Sequence, residues 1–174
     1  METQAHGVLV DVLGLGVLLS GPSGIGKSEC ALELLTRGHR LVSDDVVRIR
    51  LDAQGRLVGT APELIRHYME VTGIGIFYVP DLYGADAVRL EMEIDMVCRF
   101  ERWRKDHRYE RVGLERPTEA ILGVALPVLV LPVRPAANMA TLIELAVRDH
   151  RQRSSGRSGA SRLDARVREG SGPA

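Results

Sequence analysis

The 174-residue chain has few cysteines, few aromatic residues and no excess of charge of either sign. Two cysteines cannot build a disulfide framework, so the sequence favours a reduced, cytoplasmic protein. The 23 basic and 23 acidic side chains cancel, which argues against a nucleic-acid binder that relies on its overall field. Because no run of about 18 uncharged apolar residues occurs, no membrane-spanning helix is expected. The opening METQAHG has no basic or apolar region of a secretory signal, so none is expected.

The composition is that of a globular protein, with 45% apolar and 26% charged residues. A chain of this length usually forms one domain with a sizeable core. The charge is uneven, because residues 151–174 contain six arginines and only two acidic residues. We therefore expect residues 1–150 to form the folded domain and residues 151–174 to be a mostly disordered basic tail. Within that tail, only Leu163 and Val167 indicate a short helix.

The hydrophobic pattern predicts an α/β fold with antiparallel strands. Residues 7–20 contain two β-rich runs around Gly14 and Gly16, which predicts a hairpin. Residues 27–37 have apolar residues at helical spacing, and Gly38 is a suitable residue to end that helix. Further strands are predicted at residues 39–43, 46–51, 91–101 and 124–133, and a last helix after Asn138.

Residues 21–28 read Gly-Pro-Ser-Gly-Ile-Gly-Lys-Ser and fit the P-loop pattern between a predicted strand and a predicted helix. The glycines let backbone N–H groups converge on phosphate oxygens, and the start of the helix adds its positive dipole end. Lys27 would contact the β- and γ-phosphates, and the Ser28 hydroxyl would bind Mg²⁺. The predicted nucleotide-binding residues are Gly21, Pro22, Ser23, Gly24, Ile25, Gly26, Lys27 and Ser28.

Asp44 and Asp45 end the strand that is predicted directly after the P-loop helix. Parallel neighbouring strands joined by such a helix bring their C-terminal ends together. One of the two carboxylates is therefore expected to face Mg²⁺ or the incoming nucleophile. An isolated acidic pair at a strand end is usually a solvated turn, but the P-loop beside it favours a functional role.

Several further blocks of the sequence stand out together with the P-loop. They are His6-Gly-Val-Leu-Val-Asp11, Gly21 to Ser28 with Glu29, Ala31-Leu-Glu33, Arg37-Gly-His-Arg-Leu41, Asp44-Asp45, Met69-Glu-Val-Thr-Gly-Ile-Gly-Ile76, Tyr109-Glu-Arg-Val-Gly113, and Pro132-Val-Arg-Pro135 with Asn138. In this order and at these spacings, the blocks resemble the HPr kinase/phosphorylase family over about residues 6–150.

This resemblance implies a bacterial bifunctional enzyme of the sugar phosphotransferase system that regulates carbon metabolism. It would transfer phosphate from ATP or pyrophosphate to a serine of the phosphocarrier protein HPr, with Mg²⁺, and would remove it by attack of inorganic phosphate. The implied fold is a P-loop kinase domain that resembles phosphoenolpyruvate carboxykinase, with a mixed sheet. The resemblance also implies a homo-oligomer, usually a hexamer, in the cytoplasm, without nucleic-acid or membrane partners.

The resemblance also implies roles for individual residues. His6, Lys27, Asp45 and Arg111 match catalytic residues, and Asp45 would accept the serine proton and return it in the reverse reaction. Ser28 and Glu70 match magnesium ligands. Phosphoryl transfer depends on positioning and on neutralising the charge of the phosphate oxygens, which suits these residue types. Without the resemblance, His6, Glu70 and Arg111 would be interpreted as surface residues.

The sequence departs from the family pattern at three places. Pro22 replaces an acidic residue within the P-loop, Thr72 replaces an arginine, and alanines at 136 and 137 replace Gly-Arg. The last two changes remove positive charge from segments that the family uses in both reactions, and in dephosphorylation especially. They favour kinase activity over phosphorylase activity. The three departures also leave open a nucleotide-sensing regulatory module. A carboxykinase-like phosphotransferase that uses the same P-loop and acts on a small molecule is the alternative enzyme.

Overall fold

A computed structural model describes residues 1–110 and 113–170 of the chain as a mixed α/β fold. The strands are β1 Glu2–His6, β2 Val8–Val12, β3 Leu15–Ser20, β4 Arg40–Ser43, β5 Val46–Leu51, β6 Leu57–Thr60, β7 Tyr68–Val71, β8 Gly75–Tyr78, β9 Glu91–Glu93, β10 Met96–Arg102, β11 Thr118–Ile121 and β12 Val124–Val133. The helices are α1 Lys27–Thr36, α2 Val79–Tyr83, α3 Met139–Ser154 and α4 Gly159–Gly170, with 3₁₀ turns at Glu63–Ile65 and Ala85–Ala87.

The central sheet has six strands in the order β11-β12-β10-β3-β2-β4. Strands β3, β10 and β12 are parallel, whereas β2, β4 and β11 run antiparallel to their neighbours. A second sheet, β1-β5-β6-β9, is antiparallel throughout, and β7 and β8 form a separate hairpin. The α/β fold with a mixed sheet, predicted from the sequence, is confirmed.

Both faces of the central sheet are covered, which explains why all five residues of β2 are buried. Val8, Val10 and Val12 belong to a core cluster that also contains residues of α1 and α3. Leu9 points the other way and belongs to a cluster with Val47 and other residues of the second sheet. The sheet therefore lies between a helical layer and a β layer, and α1 is held firmly against one face.

The hairpin predicted around Gly14 and Gly16 is confirmed, because β2 and β3 pair antiparallel across a turn at residues 13–14. The expected position of β4 beside β3 is wrong. Strand β4 pairs with β2, so β2 lies between the two parallel strands that α1 connects. Strand β2, the hairpin partner of β3, occupies the position beside β3 that β4 would take in a simple β-α-β crossover. The C-terminal ends of β3 and β4 still lie at the same edge of the sheet, about two strand spacings or roughly 10 Å apart.

The single strand predicted at residues 91–101 is two strands, β9 and β10, that belong to different sheets. Between them, the Ile94 N–H donates to the Leu57 carbonyl of the second sheet at 2.8 Å. The Asp95 carboxylate then accepts a hydrogen bond from the Gly16 N–H of the central sheet at 2.7 Å. The alternating pattern is real, but a strand exchange at Asp95 interrupts it.

The C-terminal segment differs from the expected disorder, because residues 151–154 complete α3 and residues 159–170 form α4. Arginine is a good helix former, and the Ser158 hydroxyl accepts a hydrogen bond from the Ser161 N–H at 3.3 Å, as a capping residue does. Arg153 donates to the Gly113 carbonyl at 2.6 Å and to the Asp149 carboxylate at 2.7 Å, so the end of α3 is attached to the domain. None of the helices in the described ranges has the length and apolarity that crossing a membrane requires.

Candidate active site

The P-loop joins β3 to α1 and depends on glycine for its shape. Gly21 has φ 135°, and a Cβ atom at this position would lie 2.5 Å from the Phe100 carbonyl oxygen of the neighbouring strand. Gly26 precedes α1 with φ 101°, a left-handed conformation that glycine adopts without strain. The loop therefore passes close to β10 and turns sharply into the helix, as the P-loop pattern predicts.

Lys27 is the first residue of α1 and is only 7% exposed. Its ammonium donates hydrogen bonds to the carbonyl oxygens of Gly21 at 3.0 Å and of Pro22 at 2.9 Å. The lysine charge is thus held within the curve of the loop, where a bound phosphate would meet it. Pro22 takes part in these contacts through its carbonyl oxygen. Proline has no backbone N–H, and neither contact requires one at this position.

Asp44 connects the P-loop helix to the β7–β8 hairpin. Its carboxylate accepts a hydrogen bond from the Ser28 hydroxyl at 2.8 Å and from the Glu70 N–H at 3.2 Å. The side chain is buried, and burial raises the pKa of this carboxyl above its usual range, against the opposing effect of the two hydrogen bonds. The sequence predicted that either Asp44 or Asp45 would face the metal ion or the nucleophile. In the structure, Asp44 is the hydrogen-bond partner of Ser28, the proposed magnesium ligand.

Asp45 lies at the exposed mouth of the site. Its backbone has φ 68°, a left-handed conformation that is uncommon for aspartate. The Asp45 carboxylate lies 3.1 Å from His6 Nδ1, and both side chains are more than half exposed. The Asp45 carbonyl accepts a hydrogen bond from the Gly7 N–H at 2.9 Å, which fixes the turn beside His6. An inner and an outer carboxylate thus follow one another in the sequence.

A cavity of about 180 Å³ brings these side chains together. Its lining has four carboxylates, Glu29, Asp44, Asp45 and Glu70, but only one lysine, so a polyphosphate needs added cations to bind there. The full lining is His6, Val8, Ser23, Gly24, Gly26, Lys27, Ser28, Glu29, Asp44, Asp45, Glu70 and Thr72. Of the predicted site residues, Gly21, Pro22 and Ile25 belong to the loop but not to this lining, and Arg111 lies outside the described residues.

The donor set of the cavity fits Mg²⁺, which prefers oxygen ligands and is usually held by one or two carboxylates together with substrate phosphates. The Ser28 hydroxyl and the Glu70 carboxylate supply such oxygens, and the Asp44 carboxylate accepts the hydrogen bond of the Ser28 hydroxyl. In the described part of the chain, no group of three or more His, Cys, Asp or Glu side chains could hold a metal alone. The residues therefore suit a metal ion that arrives with the nucleotide.

The segment after β12, which departs from the family pattern, lies at the same end of the sheet as the P-loop. The Arg134 guanidinium lies 4.3 Å from the centre of the Trp103 ring, and that ring stacks on Tyr109 with centroids 4.8 Å apart. Asn138 caps α3 and also donates to Glu33 of the P-loop helix at 2.7 Å. Arg134, held over the Trp103 ring, is therefore the one cationic side chain that remains in this segment, because Ala137 stands where the family has a second arginine.

Comparisons with known proteins show which family this chain belongs to. The family described as the HPr Serine kinase C-terminal domain matches residues 1–167. The HPr kinase/phosphorylase of Caldanaerobacter subterraneus subsp. tengcongensis is 50% identical over 166 residues, which are 95% of this chain and 54% of that protein. The enzyme of the same name from Exiguobacterium sibiricum is 48% identical over 174 residues, 98% of this chain and 56% of that protein.

A solved structure, the Hpr(Ser) kinase/phosphatase from Coxiella burnetii, superposes with a TM-score of 0.81 at 36% identity. The match covers 88% of this chain and 93% of that one. The chain spans about half the length of the curated relatives it matches. Because the family match extends over nearly the whole chain, the chain belongs to the HPr serine kinase C-terminal domain family.

Proposed function

We propose that this chain transfers a phosphoryl group from ATP, or from pyrophosphate, to a serine of the phosphocarrier protein HPr and so takes part in the regulation of carbon metabolism. The observation that carries the proposal is the single cavity that joins the P-loop lysine, the Ser28–Asp44 pair and the His6–Asp45 pair. The names of the relatives support HPr as the acceptor.

The donor phosphates bind to the P-loop N–H groups and to Lys27, which exchanges its two loop carbonyls for phosphate oxygens. Ser28 and Glu70 hold Mg²⁺, and Asp44 orients the Ser28 hydroxyl. When bound, the metal neutralises charge on the transferred group. The Lys27 ammonium adds positive charge and positions the terminal phosphate toward the mouth of the cavity.

Asp45 acts as the general base at that mouth. The serine hydroxyl gives its proton to the Asp45 carboxylate while its oxygen bonds to the terminal phosphorus and the bridging P–O bond breaks. His6, 3.1 Å from Asp45, orients this carboxylate. In the reverse reaction, inorganic phosphate attacks phosphoserine and Asp45 returns the proton to the leaving serine oxygen. Arg111 is assigned to stabilise the transferred phosphate, a role that rests on the resemblance alone.

The reverse reaction is proposed to be the weaker of the two. Inorganic phosphate and phosphoserine repel each other, and cationic side chains must offset that repulsion. Thr72 lines the cavity where the family has arginine, and Ala137 packs partly against the core. Thr72→Arg should therefore raise the dephosphorylation rate of phospho-HPr more than the phosphorylation rate of HPr, both measured as initial rates at matched Mg²⁺. An equal change in both rates would refute the charge argument.

The test of the main proposal is incubation of the chain with ATP, Mg²⁺ and purified HPr, followed by detection of phosphoserine. Phosphoserine on HPr supports the proposal. Transfer only to small acceptors would indicate a carboxykinase-like enzyme instead, and tight nucleotide binding without any transfer would indicate a sensing module. Pyrophosphate in place of ATP tests the second donor.

We also propose that the chain works in the cytoplasm as a homo-oligomer, a hexamer by resemblance to its family. Sedimentation at the protein concentration of the transfer assay measures the mass of the assembly. A monomer that is fully active would refute the assembly, while leaving the transfer reaction unaffected.

A further inference from the structure

The β7–β8 hairpin exposes two isoleucines that the fold does not use. Ile74 is 76% exposed and Ile76 is 72% exposed, although both belong to a hairpin whose other face is well packed. On that packed face, Met69 and Val71 are 1% and 6% exposed. Apolar side chains exposed together beside a functional cavity indicate a contact surface for a partner.

The pairing register connects this apolar pair directly with the candidate active site. Ile76 lies opposite Glu70 in the hairpin, and directly opposed residues project from the same face with neighbouring side chains. Glu70 lines the catalytic cavity, as does Thr72 at the hairpin turn. A molecule that covers Ile76 is therefore in position to present a side chain to the cavity.

We propose that Ile74 and Ile76 form a docking surface for the acceptor protein and contact apolar side chains next to its serine. This rests on the proposed function, because a protein acceptor must place its hydroxyl near Asp45 while the rest of its surface meets the cavity rim. The exposed Asp45 and His6 form the charged part of that rim, and the hairpin forms its apolar part.

The size of the surface favours a transient substrate over a second copy of this chain. Two isoleucines with the half-exposed Tyr68 offer far less than the roughly 800 Å² that each partner buries in a stable complex. A substrate must leave after each turnover, so a small apolar contact suits it. The adjoining cavity also requires that this edge stay open to an acceptor.

The test is the double variant Ile74→Thr with Ile76→Thr, which keeps the β-branched shape that strands favour and removes the apolar surface. The matched control is Leu145→Gln on α3, which removes a 60% exposed leucine that does not line the cavity. The double variant should raise the KM for HPr about tenfold and leave the KM for ATP unchanged, whereas the control should change neither.

An unchanged KM for HPr in the double variant overturns the proposal. A loss of assembly mass with an unchanged KM for HPr also overturns it, because the hairpin then contacts another copy of the chain. If the unaltered chain transfers no phosphate to HPr, the proposed function fails, and calorimetric binding of HPr decides the docking separately. HPr binding that weakens in the double variant but not in the control supports the docking surface in that case.

Discussion

Replacing Asp44 with asparagine separates its role at the metal site from its role in the fold. The Asp44 carboxylate accepts hydrogen bonds from the Ser28 hydroxyl and the Glu70 N–H. An asparagine of the same size has one oxygen, which must serve the Glu70 N–H because that donor cannot rotate. Its NH₂ group then faces Ser28, whose hydroxyl accepts instead, so one of its two lone pairs is occupied and the hydroxyl is no longer oriented for a metal ion.

The expected loss of metal affinity follows from the changed contact between residue 44 and the Ser28 hydroxyl. Removing a group that orients a metal ligand typically weakens metal affinity about 10- to 100-fold, which is about 1.4 to 2.7 kcal/mol. The assay is calorimetric binding of a non-hydrolysable ATP analogue over a range of Mg²⁺ concentrations. Asp95→Asn is the matched control, because Asp95 is also a partly buried carboxylate with a raised pKa and lies outside the cavity.

Stability should respond in the opposite direction to metal binding. Because burial raises the native pKa of Asp44, folding favours the protonated form, and stability is lost as the pH rises through that pKa. The asparagine variant avoids this loss, so at neutral pH it should unfold no more easily than the native chain, and its relative advantage should shrink toward about pH 4. An unchanged Mg²⁺ requirement, or a strongly destabilised variant at neutral pH, would refute the reasoning.

Three further outcomes are expected. Lys27→Ala should abolish transfer to HPr while leaving a folded domain, because its ammonium bonds only two loop carbonyls; rates near the native value would contradict this. Truncation after Arg157 should leave the Tm nearly unchanged, whereas truncation after His150 removes the Arg153 hydrogen bonds and should lower it by several degrees; equal Tm values would contradict the anchoring of α3. Ala136→Gly should raise the free energy of unfolding by about 1 kcal/mol, because Ala136 has φ 62°, and denaturant unfolding that detects no gain would contradict this.

Local signals in the sequence predicted much of the fold and the P-loop part of the candidate site, whereas His6 and Glu70 were assigned from the resemblance to the family. The P-loop, its helix and the hairpin before it depend on residues that are close in the chain, and all three are confirmed. The place of β4 could not be read in this way, because it depends on which strand pairs with β2. The sequence also gives no sign that the chain passes from one sheet to the other at Asp95, because the alternation of apolar and polar residues continues across this position.

The two aspartates show a second limit of the sequence. Adjacent residues in a regular strand would point to opposite faces, but the strand ends at Ser43 and Asp45 has a left-handed backbone, so the sequence pattern does not say which aspartate contacts Ser28. The helix after Asn138 was predicted and is α3, but the full extent of α4 was not, because the segment has little apolar content; its helical order depends on the helix propensity of arginine and on the capping residue Ser158. Both signals are present in the sequence, and the long-range contacts of Arg153 add to them.

The most direct test of the central claim is the intact mass of HPr after incubation with this chain, ATP and Mg²⁺, compared with the same incubation with Asp45→Asn. The account predicts that HPr gains the mass of one phosphate on a serine with the native chain, and gains it far more slowly with the variant. HPr that stays unmodified while the native chain binds the nucleotide tightly would contradict the claim that this cavity is a protein kinase site.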